Sequence, residues 1–275
     1  MTDLPEPTSR RADAITAETN LWDVLKDFTD ARVALGRSGT SLPTRDLLAF
    51  TQAHAAARDA VHEPADLGAL RRTLEALGEP VLDARSLAPD RPTYLRRPDL
   101  GRTLHPDSAA HLRAQRPPGP RPPDVAVIIA DGLSAAALTQ APPLLELLLP
   151  ALRGAGLSTA PITLASQARV ALGDGVALAL GARLALILIG ERPGLTSPDS
   201  LGAYLTYQPQ PHTPDSKRNC VSNIRPAGLA ARPAAWKLTH LITQALKREL
   251  SGVQLKDDSP ELPAHFAPHA LKPTP

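Results

Sequence analysis

The chain has 275 residues, of which 43% are hydrophobic and only 3% aromatic, and its 30 basic and 28 acidic residues leave a formal charge of +2. This length predicts about two domains, and the small net charge provides no field that favours nucleic acid or an anionic membrane. The only cysteine, Cys220, excludes an intrachain disulfide framework. The apolar stretches are far shorter than the roughly 20 residues that span a bilayer, so we expect a soluble intracellular protein.

The first part of the chain shows apolar residues at helical spacing, with an Asn or a Pro where each of the first two periodic segments begins. Three helices are predicted there, over residues 20–35, 43–63 and 66–77. We therefore predict a small all-helical unit over residues 20–80. A polar tail over residues 1–19 precedes it, and this tail lacks the apolar core of a signal peptide.

The region 81–123 is dominated by Pro, Arg and Asp, and no apolar period in it lasts longer than one helical turn. Its last part, RPPGPRPP at 116–123, favours extended conformations and lacks many of the N–H donors that a sheet needs. We predict a Pro-rich linker or arm that ends at a domain boundary.

Two continuous apolar runs follow, VAVIIA at 125–130 and LALILI at 184–189. Such runs are typical of strands buried on both faces of a parallel sheet. Other strands are predicted at 157–164 and 203–207, and helices at 133–138, 144–152, 170–180 and 234–250. This alternation predicts an α/β domain over residues 124–252 with a Rossmann-like parallel sheet covered by helices. A flexible C-terminal tail is expected over residues 253–275.

Loops that follow the two apolar runs are candidates for a ligand site, because ligands of such sheets bind beyond the carboxyl ends of the strands. The first loop, DGLS at 131–134, starts with a common turn pair, so a ligand role and a turn role both stay open. The second loop, GERPG at 190–194, places Glu191 beside Arg192 directly after a buried strand. This charged pair indicates either ligand contact or a structural ion pair.

Cys220 is at the centre of the polar segment KRNCVSNIR at 217–225. The nearest histidines, His212 and His240, form no recognisable protease pattern, and lone cysteines are usually small buried hydrophobes. We therefore favour packing or ligand contact over nucleophilic catalysis. No metal-ligand set, Gly-rich phosphate loop or Ser-His-Asp set stands out in the chain.

Several blocks of the sequence closely resemble the small, or light, subunit of adenosylcobalamin-dependent ethanolamine ammonia-lyase. The blocks are ARVALGRSG at 31–39, SLPTR at 41–45, ARDAVH at 57–62, IADGLS at 129–134, RVALGD at 169–174, GERPGL at 190–195, PDSLG at 198–202 and RNCVSNIRP at 218–226. They occur in the order of the family, and the resemblance covers residues 21–250.

The resemblance implies a required subunit rather than a self-sufficient enzyme. In this family the large subunit binds ethanolamine and carries the radical chemistry, and the small subunit closes over adenosylcobalamin at the interface. The reaction converts ethanolamine to acetaldehyde and ammonia. No catalytic residue and no metal ligand are expected in this chain.

Carried over position by position, the resemblance implies that Val170, Glu191 and Cys220 contact the cobalamin. The residues by themselves place Glu191 at a strand-end crevice and indicate ordinary helix packing for Val170, so the contact at Val170 is implied by the resemblance alone. The chain lacks the Asp-x-His-x-x-Gly motif that displaces the lower base in many cobalamin enzymes. The resemblance therefore implies that the nucleotide base stays on cobalt.

The location is expected to be the cytoplasm, either free or within a bacterial microcompartment. Family members inside microcompartments use an amphipathic N-terminal extension, whereas residues 1–19 here are short, polar and interrupted by proline. Two other functions stay open from the residues alone: a stand-alone Rossmann-like nucleotide-binding enzyme, and a structural adaptor that uses its helical unit and Pro-rich arm.

Overall fold

The computed structural model describes residues 31–33, 35–37, 39–263 and 266. The chain divides into two compact units, residues 1–51 and 52–275. The predicted helix over residues 20–35 lies mostly outside the described residues, and the described residues at its end are not helical. In the first unit the guanidinium of Arg32 lies 5.9 Å from the ring centroid of Phe50.

The two helices predicted after Pro43 and Pro64 are confirmed. Helix α1 spans Thr44–His62 and α2 spans Leu67–Ala76. At the start of α2 the carboxylate of Asp66 accepts a hydrogen bond from the N–H of Ala69 at 2.8 Å. This bond satisfies one of the N–H groups that the first turn of a helix leaves unpaired.

Six strands form one mixed sheet in the order β1-β3-β2-β4-β5-β6. They are β1 Val81–Arg85, β2 Val125–Ala130, β3 Ile162–Ser166, β4 Leu184–Gly190, β5 Leu201–Tyr207 and β6 Arg218–Ile224. The predicted α/β class is confirmed. Strands β2, β3 and β4 are parallel as expected, and β1, which was not predicted, is parallel to β3. Strands β5 and β6 are antiparallel to their neighbours, because the short connection after β4 contains no helix to make a parallel crossover.

Helices cover both faces of the sheet. They are α3 Arg91–Arg96, α4 Pro98–Gly101, α5 Pro106–Ala114, α6 Ala141–Gly154, α7 Leu172–Leu180 and α8 Ala231–Arg248. Alternate residues of β2 enter two separate apolar clusters, one formed with α6 and α8 and the other with α5 and α7. This double burial explains why β2 and β4 consist entirely of apolar residues and glycine.

The structure differs from the predicted linker over residues 81–114. Strand β1 occupies an edge of the sheet, and three short helices follow it. Each of these helices has a proline within its first two positions, where the missing N–H costs nothing. The prolines therefore start helices here, and the prediction of an extended arm from composition is wrong over residues 81–114.

The polypeptide after α8 packs against that helix. The indole N–H of Trp236 donates to the carbonyl of Pro260 at 2.9 Å, and Nε2 of His240 lies 3.0 Å from a carboxylate oxygen of Asp258. The first part of the predicted flexible tail is thus held in place, and most of residues 264–275 lie outside the described residues. Within the described ranges, no helix has the length and apolar character needed to cross a membrane.

Candidate functional site

The carboxyl ends of β2 and β4 lie side by side, and the backbones that follow them approach very closely. Gly132 has a φ of +55°, and a Cβ added to it would lie 2.2 Å from the carbonyl oxygen of Gly190. A Cβ added to Gly190 would lie 2.1 Å from the carbonyl oxygen of Ser134. Only glycine fits at both positions, so the two predicted ligand loops are held against each other at this edge.

Asp131 ties the end of β2 to the loop that follows β3. Asp131 is 5% exposed, and its carboxylate accepts hydrogen bonds from the N–H groups of Gln167 at 2.9 Å and Ala168 at 3.1 Å. It also lies 3.6 Å from a guanidinium nitrogen of Arg91. Burial raises the pKa of the Asp131 carboxyl, against the opposing effect of these donors. Its contacts are those of a residue that positions the backbone.

Tyr94 holds two arginines at this edge of the sheet. The guanidinium carbons of Arg169 and Arg91 lie 4.3 Å and 4.9 Å from its ring centroid. Its hydroxyl donates to the carbonyl of Ala168 at 2.9 Å, and burial raises its pKa to about 12. A Cβ added to Gly101 would lie 2.9 Å from the ring. The ring is therefore a fixed platform for Arg169.

Glu191 follows β4 and turns its carboxylate toward β5. Ser200 donates to Oε2 at 3.2 Å and Tyr204 donates to Oε1 at 3.4 Å. Within the described part of the chain, Glu191 forms no ion pair with Arg192. Of the two roles considered for this charged pair, the structural ion pair is therefore not found, and the carboxylate is free to accept further hydrogen bonds.

Cys220 lies on β6 directly opposite Tyr204 of β5. Its side chain is exposed, and it is the only cysteine of the chain. Desolvation by the surrounding protein raises the pKa of its thiol, the Tyr204 hydroxyl acts to lower it, and the charge of Glu191 acts to raise it. A raised pKa leaves little thiolate at neutral pH, so this environment does not activate a nucleophile.

Beside Cys220, a buried ion pair joins β6 to α7. The guanidinium of Arg218 donates two hydrogen bonds of 2.7 Å to the carboxylate of Asp174. The side chains of Arg218 and Asp174 are 4% and 7% exposed. Arg218 also donates to Thr206 at 2.9 Å and lies 3.2 Å from Asp215. This two-pronged pair fixes the start of β6 relative to α7.

Two adjoining cavities bring the predicted site residues together. The first, of about 450 Å³, is lined by Pro98, Arg102, Arg169, Val170, Ala171, Tyr204, Asp215, Arg218 and Cys220. The second, of about 330 Å³, is lined by Tyr94, Gly132, Leu133, Arg169, Val170, Ile189, Gly190, Glu191, Arg192 and Tyr204. Val170, in the turn before α7, lines both cavities. Cys220 lines the first and Glu191 the second.

Three further residues of this site were not singled out from the sequence. Tyr94 came from the predicted linker, Tyr204 from a predicted strand, and Arg169 from the RVALGD block. The adjacency of Arg169 to Val170 was a usable signal for it. Nothing in the sequence pattern signalled Tyr94, because its neighbourhood depends on contacts with residues about 75 positions away.

These features define the class of protein: an α/β domain with two adjoining cavities that extend from the carboxyl ends of β2, β3 and β4, where such folds bind cofactors, to side chains of β5 and β6. The chain belongs to the ethanolamine ammonia-lyase light chain family, whose family model matches residues 19–256. The resemblance inferred from the sequence blocks is therefore confirmed.

Named relatives agree with this membership. The chain is 51% identical to the ethanolamine ammonia-lyase small subunit of Azotobacter vinelandii, over 90% of this chain and 92% of the relative. It is 53% identical to the protein of the same name from Rhodopseudomonas palustris, over 86% and 89% of the two chains. The corresponding protein of Ralstonia nicotianae is 51% identical, over 88% and 90%.

Proposed function

We propose that this chain is the small subunit of an ethanolamine ammonia-lyase and works with a large subunit that binds ethanolamine. The complex converts ethanolamine to acetaldehyde and ammonia. Membership of the light chain family, and relatives matched over about nine tenths of their length, support this proposal. We place the activity in the cytoplasm, either free or within a bacterial microcompartment.

The cofactor of the proposed complex is adenosylcobalamin, which supplies an organic radical through cleavage of its cobalt–carbon bond. The residues at the strand ends fit a ligand with amide arms, broad apolar faces and an anionic tail. Glu191 provides a positioned acceptor, Val170 provides apolar surface, and Nε of Arg169 is a buried donor without a hydrogen-bond partner in the protein. Donors, acceptors and apolar surface are thus all present at one edge.

Each predicted contact residue has a distinct part in this proposal. The Glu191 carboxylate accepts hydrogen bonds from amide or hydroxyl groups of the ligand, because Ser200 and Tyr204 hold it in place. Val170 packs against an apolar face of the ligand, and Cys220 adds a small, polarisable contact. These residues bind and orient the cofactor and exclude water, and the chain contributes no group that reacts with substrate.

The observation that carries the proposal is the meeting of Val170, Glu191 and Cys220 around Tyr204, in two cavities that share a wall. The three residues are distant in sequence, and the two adjoining cavities bring them together. A shared ligand contact explains this arrangement better than packing does, because Cys220 is exposed and Glu191 is partly exposed.

The test is ethanolamine-dependent acetaldehyde formation with added adenosylcobalamin. This chain alone, the large subunit alone and the two coexpressed are assayed side by side. We expect turnover only when both chains are present. Turnover by either chain alone, or none from a folded complex of the two, would contradict the proposal. In the second case, affinity of this chain for nucleotides would favour a stand-alone nucleotide-binding enzyme.

A further inference from the structure

Among the three arginines that line the first cavity, Arg169 is the one whose charge is not matched by a carboxylate within the described part of the chain. Arg102 lies 3.5 Å and Arg218 lies 3.2 Å from Asp215, and Arg218 also pairs with Asp174. Among the residues that the structure describes, Arg169 forms no such ion pair. Three arginines and one carboxylate line the first cavity, and Arg169 is the arginine whose charge remains available.

The guanidinium of Arg169 is nevertheless held in a defined position. It stacks on the buried ring of Tyr94, and Nη2 lies 3.5 Å from the Tyr94 carbonyl oxygen. The backbone N–H of Arg169 donates to the carbonyl of Gly101 at 2.8 Å. An arginine in one orientation loses little further side-chain entropy when it binds a ligand.

One buried donor of this side chain has no acceptor. Nε of Arg169 is inaccessible to solvent and has no hydrogen-bond partner in the protein. A buried donor without a partner is costly, so a small shift of the side chain that brings this N–H to an acceptor of a bound ligand would relieve that cost. Neither nearby carboxylate accepts a hydrogen bond from this N–H. Asp131 accepts from the backbone and lies beside Arg91. Glu191 accepts from Ser200 and Tyr204.

We propose that Arg169 binds the phosphodiester of the cobalamin nucleotide tail. This inference rests on the proposed function, because it assigns one group of the proposed cofactor to one residue. The corrin side arms are neutral amides, so the phosphodiester is the anionic group that the cofactor offers to a cation. A planar guanidinium forms strong, oriented hydrogen bonds with phosphate oxygens. Arg169 is also shared by both cavities and adjoins Val170, which places it where one large ligand can reach.

The test compares two ligands that differ in this tail, adenosylcobalamin and adenosylcobinamide, which lacks the phosphodiester and the nucleotide base. Binding to the intact two-subunit complex is measured by equilibrium dialysis in the dark, for the wild type, Arg169→Met and Arg169→Lys. Arg113→Met, which removes an exposed arginine from α5, is the matched control. Thermal melting and copurification with the large subunit confirm that each variant is folded.

We expect Arg169→Met to weaken adenosylcobalamin binding about 10- to 100-fold, the range for a hydrogen bond to a charged group, and to leave adenosylcobinamide binding within about twofold. Arg169→Lys should restore part of the loss because it keeps the charge. The ³¹P resonance of bound cobalamin should shift between wild type and Arg169→Met, whereas Arg113→Met should match wild type in both measurements.

Equal losses for the two ligands, or an unchanged ³¹P resonance, would overturn the assignment while leaving the proposed function intact. If Arg169→Met fails to fold, the binding of adenosylcobalamin and adenosylcobinamide is compared between the wild type and Arg169→Lys. An Arg169→Lys variant that prefers adenosylcobalamin as strongly as the wild type does would overturn the assignment. A folded wild-type complex that binds neither ligand would overturn the proposed function itself. Added inorganic phosphate that competes with adenosylcobinamide as strongly as with adenosylcobalamin would indicate a general anion site and overturn the assignment.

Discussion

The carboxylate of Glu191 occupies the space that a side chain at position 202 would need. A Cβ added to Gly202 would lie 2.4 Å from Oε1 of Glu191. The carboxylate can therefore take this position against β5 because residue 202 is glycine. Ser200 and Tyr204, on either side of it, donate to the two carboxylate oxygens.

Replacing Glu191 by Gln should weaken adenosylcobalamin binding to the two-subunit complex about 10- to 100-fold, because a charged acceptor is lost. Equilibrium binding measures this effect. The control is Glu146→Gln, which changes an exposed carboxylate on α6 and should leave the affinity unaltered. Unchanged affinity and turnover in Glu191→Gln would remove this residue from the proposed cofactor contacts.

Gly202→Ala should produce a similar loss of affinity, because the new methyl group displaces the carboxylate. The double variant Gly202→Ala with Glu191→Gln provides the decisive comparison. If position 202 acts through Glu191, the affinity of the double variant for adenosylcobalamin should be no lower than that of the single variant with the lower affinity. Additive losses would show that Gly202→Ala acts on the strand itself, and thermal melting of each variant would locate that damage.

Gly132→Ala should destabilise the chain by about 2–4 kcal/mol, since it combines a left-handed backbone with a clash against Gly190. Chemical denaturation gives this free energy of unfolding. Gly154→Ala is the matched control, because that glycine is helical and a new Cβ would meet nothing within 4 Å. It should be neutral or slightly stabilising, and equal losses in both variants would argue against the close approach of the two loops.

Asp174→Asn should cost about 3–5 kcal/mol of unfolding free energy, because it leaves the buried guanidinium of Arg218 without its carboxylate. Denaturation curves at neutral pH measure the change. Asp99→Asn removes the partner of Arg97 in an exposed pair and should have no measurable effect. A small loss in Asp174→Asn would mean that the remaining partners, Asp215, Thr206 and the carbonyl of Thr213, are enough to hold Arg218.

Alkylation of Cys220 should respond in opposite directions to its two neighbours. The thiol pKa is raised by desolvation, lowered by the Tyr204 hydroxyl and raised by the charge of Glu191. Tyr204→Phe should therefore move the pH profile of iodoacetamide labelling to higher pH, and Glu191→Gln should move it to lower pH, because thiolate is the reactive form.

Mass spectrometry of the peptide that contains Cys220 follows this labelling within the complex. The wild-type profile should itself lie above that of the unfolded chain, as expected for a raised pKa. Shifts of the same sign in Tyr204→Phe and Glu191→Gln would be inconsistent with the contacts described for the thiol.

Much of the architecture follows from local pattern. The unbroken apolar runs of β2 and β4 predicted strands buried on both faces, because a strand covered by helices on two sides has no polar position. The ends of β2 and β4 then predicted where polar loops emerge, and Glu191 was identified there on chemical grounds. Pattern failed over residues 81–114, because proline content alone does not distinguish helix starts from an extended arm.

The sequence pattern also did not predict the antiparallel direction of β5 or the existence of strand β6. Strand β6 is polar and half-exposed at a sheet edge, so it lacks the apolar signal of a buried strand. The antiparallel pairing of β5 follows from the connection after β4 and not from the composition of β5.

The sequence by itself determined the α/β class, most helices and central strands, and the family to which the chain belongs. Only the tertiary structure decided which residues meet: Tyr204 faces Cys220 across two strands, and Tyr94 supports Arg169 from 75 positions away. Local periodicity depends on residues within one or two turns, whereas these contacts depend on the order of strands in the sheet. The order of the strands in the sheet therefore determines which side chains line the two cavities, and local sequence patterns do not predict it.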